Sequence, residues 1–211
     1  MRRARILICL ISLSIADVVS AQTPAISLRG FADVGLRSFT AADSFKAVLG
    51  TSTGPTFGGG VEIAGRQGIF GSVRASRFTR TAERVFVFRD EVFGLGVPET
   101  ITITPLELTV GYRFGQGRRV VPYGGGGVGW HRFSETSAFS EAAEEAHEQF
   151  VGYHVLGGVE IALSRWMAAA IEGEWAAVPN ALGQDPNGVA SQFGESDLGG
   201  ATVRVKLVFG R

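Results

Sequence analysis

The stretch FVGYHVLGGVEIALSRWMAAAIEGEWAAV, residues 150–178, alternates apolar and polar side chains with a period of two. Val155 falls on one face of the alternation and Glu160 on the other. A period of two is typical of a β-strand whose two faces meet different surroundings. The pair at 164–165 is long enough only for a turn, so the stretch predicts an antiparallel hairpin of two long strands.

The same alternation recurs along the chain and predicts eight strands. They cover residues 28–39, 56–64, 69–79, 106–114, 121–132, 150–163, 166–178 and 198–209. Long connections at 40–55, 80–104, 133–149 and 179–197 alternate with short turns. An even number of strands, each long enough at ~9–11 residues to cross a bilayer when tilted, with long loops at one end only, is typical of a membrane-spanning meander.

The two faces of the predicted strands differ in charge. One face has almost no charged residue. The other face contains Asp33 and ten further acidic and basic side chains: Arg37, Glu62, Arg74, Glu107, Arg113, Glu160, Glu172, Glu174, Arg204 and Lys206. A charge that faces lipid at the bilayer midplane costs about 2–4 kcal/mol. We therefore predict that the apolar face is outside and that the charged residues pair inside, as a structural network that plugs the lumen.

Backbone groups in hydrocarbon must find partners within the protein, and closure of the sheet provides them. The predicted fold class is accordingly all-β, a closed antiparallel eight-stranded up-and-down transmembrane β-barrel over residues 22–211. Glycine is abundant, at 30 of 211 residues, and several glycines fall on the inner face, where they leave room for long side chains.

Residues 1–21 have the features of a signal peptide. Three arginines among the first five residues precede an apolar run at 6–15, and small residues precede Ala21. The apolar run is too short to span a bilayer. We predict that this leader directs export and is cleaved after Ala21, which leaves the barrel domain at 22–211.

Aromatic residues cluster near both ends of the predicted strands, as expected for the two interfaces of a membrane. The predicted girdle at the long-loop end contains Phe39, Phe57, Trp130 and Tyr153, and that at the short-turn end contains Tyr112, Phe114, Tyr123, Trp166 and Phe209.

The leader, the eight strands, Pro122-Tyr123 followed by four glycines at 124–127, and a last strand that ends near Phe209 carry a family resemblance. Together they resemble the small outer-membrane β-barrel family that includes the OmpA transmembrane domain, over essentially the whole mature chain. The resemblance implies a location in the cell outer membrane, contact with its lipid and lipopolysaccharide, and insertion by the barrel-assembly machinery. We expect a monomer.

The function that we predict from the sequence is a structural or loop-mediated binding role. Alternatives are a narrow channel for small solutes, a secreted lipocalin-like binder, and a lipid-modifying outer-membrane enzyme. Equal numbers of acidic and basic residues, 20 of each, give no indication of nucleic-acid binding.

We expect no catalytic, cofactor or metal site. His131 and Ser134 are three residues apart, which places them on opposite faces of a strand. His147 falls in a predicted loop, His154 is predicted to face the lumen, and the acidic segment 141–148 is more consistent with a solvated loop or short helix.

The second long loop is unusually apolar. It contains Val85, Phe86, Val87, Phe88, Val92 and Phe93. Either residues 84–89 and 99–104 extend the third and fourth strands as a hairpin above the membrane, or the patch is a contact surface for lipid, ligand or partner.

Overall fold

The computed structural model describes residues 26–88, 91–115, 117–137, 146–186 and 188–210. The predicted signal peptide at 1–21 lies outside these ranges. The elements in chain order are β1 (Ile26–Phe39), α1 (Ala42–Leu49), β2 (Thr53–Gly65), β3 (Ile69–Phe88), β4 (Glu91–Arg113), β5 (Val120–Ser137), β6 (Ala146–Ala162), β7 (Met167–Ala177), α2 (Val189–Gln192) and β8 (Gly200–Gly210).

The eight strands form one closed barrel in which each strand is antiparallel to the next. Closure is made by β1 and β8, which pair from Arg29 opposite Gly210 to Phe39 opposite Gly200. Within the barrel each strand therefore has a neighbour on both sides, whereas the part of β3 beyond Arg77 extends past its last described pair with β2. The predicted fold class is confirmed.

The third and fourth strands are much longer than predicted. Their ladder continues to Phe88 opposite Glu91, with one irregularity between Glu83 and Val85. The predicted loop at 80–104 is therefore wrong, and the hairpin alternative describes this region. Threonine pairs across the two strands, such as Thr81 and Thr100 with hydroxyl oxygens 2.9 Å apart, support the extension.

The other long connections also contain regular structure. Between β1 and β2 lies α1, which ends at Gly50 with φ of 72°, a left-handed conformation that favours glycine. The predicted loop at 133–149 is wrong in part, because β5 continues to Ser137 and β6 begins at Ala146. His147 thus lies in a strand rather than a loop, and residues 141–145 of the acidic segment lie outside the described residues.

The outer surface of the barrel is apolar. Exposed valines, leucines, isoleucines and aromatic residues alternate with buried residues along the strands. Seven of the predicted girdle residues are exposed there: Phe57, Tyr112, Phe114, Trp130, Tyr153, Trp166 and Phe209.

The other two girdle predictions are wrong, because Phe39 and Tyr123 are only 3% and 5% exposed. Both share the strand face of lumen residues, Phe39 with Arg37 and Tyr123 with His131, so the pleat turns them inward. None of the helices described is long and apolar enough to cross a membrane.

Candidate functional site: the barrel lumen and its mouth

The lumen near the short turns contains a closed ring of two arginines and two glutamates, here called the lower cluster: Arg29, Glu62, Arg113 and Glu160. Arg113 donates from Nη2 to Glu62 Oε2 and from Nη1 to Glu160 Oε2, both at 2.8 Å. Arg29 donates from Nη1 to Glu160 Oε1 at 2.7 Å and also pairs with Glu62. Each carboxylate therefore contacts two guanidinium groups, and charge is balanced within the ring.

A second cluster surrounds Arg74. Its guanidinium donates from Nη2 to Asp33 Oδ1 at 2.7 Å and from Nη1 to Glu107 Oε2 at 2.9 Å. Nη1 also donates to the Ser76 hydroxyl at 3.0 Å. All four residues are buried, so these hydrogen bonds replace the water that a guanidinium and two carboxylates lose on entering the lumen.

A third cluster joins β7 and β8. Arg204 pairs with both Glu172 and Glu174, and Lys206 donates from Nζ to Glu172 Oε2 at 2.9 Å. The Tyr123 hydroxyl donates to the same oxygen at 2.8 Å. Glu172 is thereby surrounded by three donor groups, which come from β5 and β8.

Gly158 makes room for Tyr123 in this cluster. A Cβ built on Gly158 would lie 2.8 Å from the Tyr123 hydroxyl oxygen and 2.6 Å from the Ile171 carbonyl oxygen. Any larger residue would displace the tyrosine ring or the strand. The glycine on the inner face is thus needed for the phenol to reach Glu172.

All ten charged residues singled out in the sequence lie in the lumen with low exposure. Nine of them take part in ion pairs, and Arg37 is the exception. Its Nη2 donates to the Leu198 carbonyl oxygen at 3.3 Å, and its guanidinium carbon lies 5.1 Å from the centre of the Phe39 ring. No carboxylate among the described residues lies within ion-pair distance of Arg37, so the expected pairing of this residue is wrong.

The lumen residues predicted from the sequence do not include Arg29, and no partner is predicted for Asp33. Both residues belong to the same face of β1 as Arg37, because they are separated from it by even numbers of residues. The alternation could therefore have identified Arg29. With both included, the lumen has six basic and six acidic side chains in and beside the three clusters, and no net formal charge.

The histidines do not form a catalytic arrangement with the residues described. His154 lies in the lumen, with Nε2 2.8 Å from the Thr109 hydroxyl oxygen. His131 is buried, and both of its ring nitrogens lack hydrogen-bond partners in the described ranges. Within those ranges, no group of three or more His, Cys, Asp and Glu side chains could hold a metal ion.

Above the charged clusters, towards the long connections, an apolar plug fills the lumen. Its buried members are Phe39, Ala41, Phe45, Leu49, Phe78, Ile101, Ile103, Val178, Ala181 and Leu198. Phe39 stacks on Phe45 of α1 with ring centres 4.0 Å apart and meets Phe78 edge-on at 5.0 Å. The helix thus folds over the mouth of the barrel and contributes side chains to a small hydrophobic core.

The β7–β8 connection holds α1 in place. The Glu195 carboxylate accepts hydrogen bonds from the backbone N–H groups of Asp43 and Ser44 at 3.1 and 2.8 Å, and from the Ser44 hydroxyl. No side chain at the helix's own N-cap, Ala41, makes such a bond. A residue 151 positions from Ser44 therefore caps the helix, and it ties two long connections together.

A cavity of about 550 Å³ opens above the plug. Its walls come from α1, the β3–β4 hairpin, β5 and the connection that contains α2. Apolar side chains such as Phe45, Ile101 and Phe133 form about half of the described walls, and polar groups, among them the carboxylate of Glu99, form the rest. A concave cavity of this size that combines apolar walls with a few polar groups is typical of a small-molecule site.

Two solved structures are similar to this chain in fold. Neisserial surface protein A matches with a TM-score of 0.55 and 11% sequence identity over 89% of this chain and 98% of that chain. A major outer membrane protein from Thermus thermophilus matches with a TM-score of 0.52 and 10% identity over 87% of this chain and 99% of that chain. No family model matches the chain, and no curated protein matches it in sequence. The chain therefore has the fold of small eight-stranded outer-membrane β-barrels, with an apolar outer surface.

Proposed function

We propose that this barrel is a non-conducting scaffold whose extracellular end has a binding role. The observation that carries the proposal is the filling of the lumen at two levels, by charged clusters below and by the apolar plug above. Eight strands enclose little more space than their own inward side chains need. Ions would have to break several buried ion pairs and then pass Phe39 and Ile103, which are nearly fully buried.

The long-connection end supports the binding part of the proposal. In outer-membrane barrels the longer loops face the outside of the cell and the short turns face the periplasm. Here the longer connections are folded around a cavity and are joined by the Glu195 hydrogen bonds. Ordered walls reduce the entropy that is lost when a ligand binds.

The proposal includes a monomer surrounded by lipid and lipopolysaccharide and inserted by the barrel-assembly machinery. It includes no catalytic activity and no cofactor. The apolar exterior supports the lipid contacts, because exposed valine, leucine and aromatic side chains run along every strand.

Electrical recording across a planar lipid bilayer tests the closed lumen. We expect the refolded wild-type barrel to insert without conductance steps. A variant with Phe39→Ala and Ile103→Ala has a thinner apolar plug and intact charged clusters, so we expect it to remain silent as well. Regular conductance steps from the wild-type barrel, with the same step size in separate preparations of the protein, would contradict the proposal and favour the narrow channel.

A further inference from the structure

The carboxylate of Glu99 is an unusual group for the place that it occupies. Glu99 lies on β4 and lines the cavity above the apolar plug, yet it is only 6% exposed. None of the described residues gives it a hydrogen bond or an ion pair. Its oxygens are not among the fully buried unpartnered atoms of the described residues, so they face the open space of the cavity and are available to a donor group there.

Its described neighbours in the cavity do not supply a counter-charge. None of the lining residues described is basic, and Glu135 and Asp185, the other two acidic ones among them, already have interaction partners. The other described lining residues without an apolar side chain are Ser44, Gly183 and Gly188, and the Ser44 hydroxyl is bound to Glu195. Among the residues described, the cavity therefore combines three acidic side chains, of which Glu99 alone has no partner, with a set of apolar side chains.

These features suit one chemical class of ligand. We propose that the cavity binds a small molecule with an apolar body and a protonated amino group, and that Glu99 accepts the hydrogen bond from this group. Phe45, Ile101, Phe133 and Leu182 would cover the apolar body. An anionic ligand is disfavoured by three acidic side chains in one cavity. A divalent cation is disfavoured because such ions take several oxygen ligands, and no cluster of three suitable side chains exists among the residues described.

The inference rests on the proposed binding role of the extracellular end, and it is independent of whether the lumen conducts. Three probes that share an apolar cage and differ in charge distinguish the contribution of the amino group from that of the apolar body. They are adamantylamine, adamantanol and adamantane carboxylate. The wild-type barrel is placed in phosphatidylcholine nanodiscs, and each probe is titrated by calorimetry against this sample and against empty nanodiscs. We expect saturable binding of the amine, with weaker binding of the alcohol and none of the carboxylate.

Three variants localise the binding. Glu99→Gln keeps the shape of the side chain and removes its charge, so we expect the amine affinity to fall at least about tenfold, as for the loss of a charge-assisted hydrogen bond. Glu148→Gln is the matched control, since Glu148 is an exposed residue of β6 that is not among the lining residues described. This variant should bind the amine with the affinity of the wild type. Ala190→Trp fills the cavity from α2 and should abolish binding of the amine and the alcohol.

The outcomes are distinguishable. Equal affinities for amine and alcohol, or an unchanged amine affinity in Glu99→Gln, would overturn the assignment of Glu99 and leave a general binding role intact. Absence of saturable binding by all three probes would overturn the cavity as a ligand site. A heat-dependent shift in gel mobility, retained in each variant, shows that the barrel itself is folded, so loss of binding is not loss of structure.

Discussion

The geometry of the lower cluster predicts a strong energetic coupling between Arg113 and Glu160. Arg113→Met leaves Glu62 and Glu160 with one guanidinium to share, that of Arg29. Glu160→Gln leaves two guanidinium groups around one carboxylate. Each single change therefore creates an unbalanced charge inside the barrel, whereas the double change leaves the matched pair of Arg29 and Glu62.

The burial of the ring sets the magnitude. The side chains of Arg113 and Glu160 are only 5% and 10% exposed, so water does little to screen an unpaired partner. Removing one partner of a buried ion pair costs about 3–5 kcal/mol. At the lower end of that range, we predict that each single variant loses about 3 kcal/mol of unfolding free energy. The double variant should lose about 3 kcal/mol as well, which gives a coupling energy of about 3 kcal/mol.

Reversible urea unfolding from lipid vesicles measures these free energies. The three tryptophans, Trp130, Trp166 and Trp175, lie on the lipid-facing surface, so their fluorescence reports insertion. Asp43→Asn is the matched control: Asp43 is paired with Lys46 at an exposed position of α1, and its loss should change stability by no more than about 1 kcal/mol.

Additive losses in the Arg113 and Glu160 double variant, about 6 kcal/mol in total, would refute the reasoning. That result would mean that Arg113 and Glu160 contribute to the unfolding free energy independently of each other, and not through the lower cluster.

Three further predictions follow from the same structure. Leu108→Arg places a charge on the lipid-facing side of β4 and should cost about 2–4 kcal/mol of unfolding free energy in vesicles, whereas Val92→Arg, in the hairpin beyond the barrel, should cost little. Gly158→Ala puts a Cβ 2.6 Å from a carbonyl oxygen of β7 and should destabilise the barrel by about 1–3 kcal/mol. Gly173→Ala should be tolerated, because its Cβ would lie 4.0 Å from the nearest carbonyl oxygen. Equal melting temperatures for the two variants would contradict this account. Glu195→Ala removes the acceptor for the first amides of α1, so hydrogen exchange of these amides should become faster. The expected loss of local stability is about 1 kcal/mol. Unchanged exchange would show that the helix does not need this cap.

Much of the barrel could be predicted from local sequence, because the pleat of a β-strand sends alternate side chains to opposite faces. The eight alternating segments required no knowledge of the fold, nor did the inward position of residues such as Arg74 and Glu107. The errors at Phe39 and Tyr123 came from giving aromatic type more weight than the alternation, which already placed both residues on the inner face. The extension of β3 and β4 was ambiguous for a different reason, since apolar residues beyond the membrane fit both a hairpin and a binding patch.

The identity of the partners in the lumen could not be predicted from the sequence. Arg29 and Glu160 are 131 residues apart, and Arg113 and Glu62 are 51 apart. Which acid meets which base depends on the stagger of the strands when the sheet closes, and alternation carries no information about that stagger. The same holds for the apolar plug, because α1 reaches Phe39 and Phe78 only after β1, β2 and β3 have curved around the axis.

Local sequence was thus sufficient to identify the eight strands, their order and the alternation of their side chains between two faces, because these properties follow from the backbone of a few neighbouring residues. Three features became evident only in the folded barrel: among the residues described, Arg37 has no acidic partner, Glu195 caps a distant helix, and Glu99 lies in a cavity without a partner. These features depend on distances between residues remote in the chain, and those distances are fixed only when the barrel closes.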